Sequence, residues 1–200
     1  MKNIRAKFLT VAALAALAAP AAAHDHGKTG KTTASAMTAA TYAPITAAEV
    51  EAAQQAWGNA LVAISTEHER NGHAAAKRLA EQVLDSAYGY DMGPVLFKPT
   101  LTTAPATFRT TRDGALAYFV GGDSNFPSDK GFALNNWRSV KVNNAGILLK
   151  GNSATSMGNV MITDAKGNTT TVDKTWGYVR GPDGKLRIVL HHSSLPYKAS

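Results

Sequence analysis

Four kinds of side chain in this sequence could do chemistry, and they are sparse. There is no cysteine among the 200 residues, so thiolate metal sites, cysteine nucleophiles and disulfides are all excluded. There are six histidines. His24 and His26 stand near the N-terminus, His68 and His73 flank a polar segment beside Glu67, Glu69 and Arg70, and His191 and His192 are adjacent. A metal hydroxide needs about three neutral imidazoles or carboxylates converging on one point, and this local spacing assembles no such set. Gly-x-Ser-x-Gly, His-Glu-x-x-His and phosphate-loop patterns are all missing, and Gly121-Gly122 lacks the third glycine of a dinucleotide site. What remains are hydroxyls and imidazoles at strand ends: Thr100 after Pro99, Tyr118 among apolar residues, and His191 two positions before Ser193. Each also has a purely structural reading, Tyr118 as a buried ring tied to backbone and Ser193 as a satisfied strand edge.

The elements that must position these groups follow from periodicity. Lys185 to Pro196 reads as a strand, entered from the turn Gly181-Pro182-Asp183-Gly184 and stopped by Pro196. Alternation puts His191 and Ser193 on one face with Val189, and His192 and Ser194 on the other with Leu190 and Ile188. The two histidines therefore point apart. Earlier, Thr46-Ala47-Ala48-Glu49 forms a capping box with Ile45 and Val50 as its staple, opening a helix in which Val50, Ala53, Trp57, Leu61 and Ile64 share the core face. A second helix is expected from about Gly72 to Tyr88, capped by Asn71, with Ala75, Leu79, Val83 and Ala87 inward and Gly89 terminating it. Val95 to Thr100 reads as a short strand, and Ala106–Thr111 with Ala115–Val120 as a hairpin around Arg112-Asp113-Gly114. Gly121 to Asn136 is a long polar loop. Strands at 137–142, 146–150, 158–163, 169–180 and 185–194 complete an α+β order, best satisfied by a strongly curved, mainly antiparallel sheet wrapped on helices around a cone-shaped pocket.

Composition bounds the rest. Lys2, Arg5 and Lys7, the apolar run Phe8–Ala19 and Ala21-Ala22-Ala23 form the pattern of a cleaved secretory signal peptide over 1–23. A flexible linker is expected at 24–43 and one domain at 44–200. The apolar run is too short to span a bilayer, so the mature chain is expected to carry no membrane span and to be periplasmic or secreted. Loss of the signal peptide lowers the formal net charge from +7 by three, to +4. The remaining cations are scattered without interleaved aromatics, which excludes a nucleic-acid footprint and leaves room only for small anions in a pocket.

His191-His192-Ser193-Ser194-Leu195-Pro196 resembles the signature of the iota-class carbonic anhydrases, a branch of the nuclear-transport-factor-2-like (NTF2-like) and calcium/calmodulin-kinase association-domain superfamily. Ile45 to Val50, Val95 to Thr100 with its Lys-Pro-Thr, Tyr118-Phe119-Val120-Gly121-Gly122 and Trp137 resemble the same family in order and spacing, so the likeness runs from Thr41 to Pro196. The resemblance implies an NTF2-like cone-shaped barrel, a homodimer, and reversible hydration of carbon dioxide to bicarbonate. It implies Thr100, Tyr118, His191 and Ser193 as catalytic residues, with Lys98, His192 and Ser194 supporting them. Carbon dioxide would lie against Phe97, Phe119, Val189 and Trp137, and His191 would be the proton acceptor. Some members work without metal and others are described as metal-dependent. The ligand count favours no cofactor here, with zinc or manganese as the alternative. The competing expectation is a non-catalytic NTF2-like module for small-ligand binding or oligomerisation, since fold does not fix function.

Overall fold

The computed structural model describes residues 42–199. The expected signal peptide and most of the expected linker lie outside them. Tyr42, at the end of that linker, is already tied to the domain: its hydroxyl donates to the Pro182 carbonyl.

The first helix, α1 (Ala47–Ala87), opens on the expected capping box, with Thr46 Oγ1 accepting from the Glu49 amide and the Glu49 carboxylate accepting from the Thr46 amide. It is two helices joined across Gly72, whose φ of 80° breaks the helical path. Asn71 does not cap the second half; its amide donates to Glu67 one turn back. The inner stripe of that half is centred on Ala76, Ala80 and Leu84, while Leu79, Val83 and Ala87 sit at its margin. The helix ends at Tyr88 in extended conformation, one residue before the expected Gly89. That ending turns the Tyr88 ring into the core, where it is 1% exposed.

Five strands follow: β1 (Leu96–Lys98), β2 (Trp137–Lys150), β3 (Ser153–Asp164), β4 (Thr169–Arg180) and β5 (Leu186–Ser194). They form one sheet in the order β1-β5-β4-β3-β2, antiparallel except for the parallel pair β1–β5. The sheet is open, with β1 and β2 as its edges, and helices cover its inner face. The two strands expected at 137–142 and 146–150 are one strand, bulged between Asn144 and Gly146. Gly158 lies opposite, where a Cβ would stand 2.1 Å from the Asn143 carbonyl oxygen.

The hairpin expected at 106–120 is instead a helix, α2 (Arg112–Val120). Thr111 caps it by accepting from the Gly114 amide, and Gly121 ends it at a φ of 67°. Gly114 to Val120 are all buried, so no polar face reveals the period, and a short all-apolar run is ambiguous between strand and helix. His73 Nε2–H donates to the Val120 carbonyl at 2.8 Å, tying this helix end to α1. The loop after α2 contains a 3-10 turn at Phe132–Leu134 and is held by Asp129. Its carboxylate receives two hydrogen bonds from the buried Arg109 guanidinium, which also lies 4.5 Å from the Phe126 ring centroid.

Candidate active site

β1 and β5 run parallel with Phe97 opposite His191 and Lys98 opposite His192. Their common end therefore brings Thr100, in the turn after β1, alongside Ser193. Thr100 Oγ1 donates to Ser193 Oγ at 2.6 Å. Tyr118 reaches the same place from α2, its ring edge-on to Phe97 at 5.7 Å and stacked on Phe132 at 5.4 Å. Its phenol lies within hydrogen-bonding reach of the Thr100 hydroxyl and of the Thr100 and Leu101 backbone. Burial pushes the Tyr118 pKa up to about 12, against those hydrogen bonds, which pull it down. At neutral pH the group is a phenol and a donor. Because Thr100 gives its proton to Ser193 Oγ, the Ser193 proton is left to point onward. The Thr100–Ser193 pair thus ends in a donor, with the Tyr118 phenol beside it.

Ser193 and His191 are each 2% exposed, while His192 is exposed on the outer face with Ser194 beside it. The separation of the two histidines expected from alternation is present. Val189 departs from it: the β4–β5 register shifts between Gly177 and Tyr178, so Ile188 takes the inward position and Val189 leaves the core face. Gly177 makes that shift possible, since a Cβ there would stand 2.9 Å from Leu190 Cβ. Val189 is therefore not in the apolar wall. Phe97 and Phe119 are: they stack at 5.7 Å, and Phe97 lies 4.4 Å from the His191 ring, nearly parallel to it. Trp137 packs against Phe132, and through it backs Tyr118. Lys98 Nζ donates to the Ser193 carbonyl at 3.1 Å.

Both nitrogens of His191 are engaged away from the hydroxyls. Nδ1 is 2.9 Å from the Tyr88 hydroxyl and Nε2 is 2.9 Å from Lys174 Nζ. Trp57 Nε1 donates to the same Tyr88 hydroxyl at 2.9 Å. Burial, with Lys174 and then His192 nearby, holds the His191 pKa well below the usual imidazole range. Tyr88 and Lys174 were not singled out from sequence. For Lys174 a signal existed: Val172, Lys174, Trp176 and Tyr178 alternate inward on β4, and a lysine in the apolar phase of a strand invites a question. Trp57 keeps the core position expected of it and also supplies a hydrogen bond. Among the described residues no group of three or more His, Asp or Glu is placed to hold a metal ion.

Helices laid on one face of an open, mainly antiparallel sheet define the NTF2-like class. A putative calcium/calmodulin-dependent protein kinase II association domain from Xanthomonas campestris shares this fold, with a TM-score of 0.52 at 24% identity over 78% of this chain and 91% of that one. The crystal structure of a cyanobacterial iota-carbonic anhydrase complexed with bicarbonate is much nearer, with a TM-score of 0.77 at 64% identity, covering 78% of this chain and 95% of that one. A metal-independent carbonic anhydrase from Nostoc is 60% identical over 172 residues, 86% of this chain and 84% of its own length. The family model for metal-independent carbonic anhydrases matches residues 48–195, and the chain belongs to that family.

Proposed function

We propose that the chain catalyses the reversible hydration of carbon dioxide to bicarbonate and a proton, without a metal cofactor, at the Tyr118–Thr100–Ser193 cluster. The observation that carries this reading is the 2.6 Å Thr100–Ser193 hydrogen bond beneath a phenol that burial keeps protonated. In hydration the water oxygen bonds to carbon, one C=O electron pair moves onto oxygen, and the water gives up a proton to bulk water or to a buffer base in solution. Negative charge grows on the oxygens of the product. Hydroxyl donors fixed in advance stabilise that charge without reorganising, and they also hold the attacking water against the apolar wall of Phe97 and Phe119. On this reading His191 acts by position, since its nitrogens are bonded to Tyr88 and Lys174.

Stopped-flow hydration assays test this directly. Wild-type activity is expected to be indifferent to a strong chelator, and Ser193→Ala and Tyr118→Phe are each expected to lose at least about 10²-fold in kcat with unchanged circular dichroism. Full activity in both variants would refute the assignment.

The same proposal includes export, supported by the signal-peptide pattern of residues 1–23, and a homodimer. Leu148 and Met157, 68% and 60% exposed on the sheet, supply an apolar surface for a second copy. Light scattering that returns the monomer mass would remove the dimer.

A further inference from the structure

Lys174 is buried, and among the described residues no carboxylate pairs with it. Its Nζ lies 4.2 Å from the Trp57 ring centroid, 5.2 Å from that of Trp176 and 2.9 Å from His191 Nε2. Two ring faces and one nitrogen are a poor exchange for the hydration of an ammonium.

The hydrogen-bond inventory indicates which charge state fits. Trp57 Nε1 can only donate, so the Tyr88 oxygen accepts from it. The Tyr88 O–H in turn needs an acceptor, and its partner is His191 Nδ1. With Nδ1 accepting, the neutral imidazole carries its proton on Nε2, aimed at Lys174 Nζ. Nζ can receive that bond only through the lone pair of a neutral amine. Protonation of Lys174 reverses the chain: Nζ donates to Nε2, Nδ1–H turns on the Tyr88 oxygen, and the Tyr88 O–H loses its acceptor.

This chain adjoins the hydroxyl cluster. Lys174 is directly opposite Ser193 in the β4–β5 register, both side chains are buried, and His191 carries Phe97 on its face. Directly opposed residues have Cβ atoms about 5 Å apart.

We propose that Lys174 is a positioning residue for hydration: its neutral amine fixes the His191 tautomer and the setting of the Ser193–Thr100 pair, so that activity follows the fraction of protein with Lys174 unprotonated. The inference rests on carbon dioxide hydration as the reaction. Burial pulls the Lys174 pKa down to about 7, which places the change in the working range. The titratable groups around the chain are Tyr88 and Tyr90 from the end of α1 and the segment after it, Tyr118 from α2, Lys98 from β1, Tyr178 from β4, and His191 and His192 from β5. The β3 residues flanking this register, Ser156 and Gly158, carry none.

The test combines two readouts on the full chain between pH 6 and 9. Nitrogen-15 NMR of histidine-labelled protein distinguishes the neutral imidazole tautomers, and the initial hydration rate reports activity. His191 is expected to carry its proton on Nε2 above about pH 7 and on Nδ1 below it, with the rate falling about tenfold per pH unit below the same midpoint. Lys174→Met should remove both dependences. Lys174→Arg, whose guanidinium stays charged, should hold the Nδ1–H form and the low rate throughout. A wild-type His191 that keeps one tautomer across the range overturns the proposal without reference to any variant. So does a Lys174→Met profile that follows the wild type. A tautomer change in a protein that shows no hydration would instead overturn the reaction reading and leave the hydrogen-bond chain standing.

Discussion

Lys174→Met should make the protein more stable at neutral pH and remove most of the pH dependence of its stability above pH 7. In the folded chain burial displaces the Lys174 pKa from 10.5 to about 7. Between those values the unfolded chain binds a proton that the folded chain does not, so stability rises with pH across this window and falls as pH is lowered through it. Below about pH 7 both states are protonated and this dependence flattens. One pH unit corresponds to about 1.4 kcal/mol, so the full window is worth about 5 kcal/mol as an upper bound. His191, also held neutral by burial, adds a dependence of the same sign below pH 6.5. The buried tyrosines act in the opposite sense above pH 10, since their phenols are favoured in the folded state. The clean interval is therefore pH 7 to 9.5. Across it wild-type stability should rise by about 3 kcal/mol, a shift of about 1 to 3 M in the urea midpoint for an ordinary urea dependence. Methionine matches the length of the lysine stem and titrates nowhere in this range. Equal slopes of urea midpoint against pH in the two proteins would refute the claim that an unpaired amine is buried here.

Two further outcomes concern the parts that hold the site in place. Arg109→Met leaves the Asp129 carboxylate, which received two guanidinium hydrogen bonds, buried without its cation; a loss of about 3–5 kcal/mol in urea unfolding is expected, most of it recovered when Asp129→Leu is added. Gly158→Ala places a Cβ where the Asn143 carbonyl oxygen already stands. A loss of about 1–3 kcal/mol is expected, read as a lower melting temperature, and an unchanged one would mean that the β2 bulge yields.

The local instructions were legible wherever one face of an element meets water. The Thr46–Glu49 capping box, the two-part first helix and the period-2 strands from β3 to β5 could be read because polar and apolar residues alternate at a definite period. The α2 helix could not, because Gly114 to Val120 have no wet face to mark the turn length. Val189 was misplaced because a single extra residue inverts the alternation, and the cue, Gly177, lies on the neighbouring strand. Lys174 is not singled out by the sequence although it stands in the inward phase of β4 with Val172, Trp176 and Tyr178, since a strand pattern says which way a side chain points and not what it meets.

The sequence by itself determined that His191 and Ser193 share a face and that His192 turns away. Strand geometry alone enforces this over two residues, and the Val189 bulge lies upstream of them. Only the tertiary structure decided what that face confronts. Thr100 meets Ser193 across 93 positions of chain because β1 pairs parallel to β5, and Tyr118 reaches them through a helix that the local pattern hid. His191 lies between Tyr88 and Lys174, 103 and 17 residues away. These contacts depend on how separate elements pack, where each segment's own periodicity is silent.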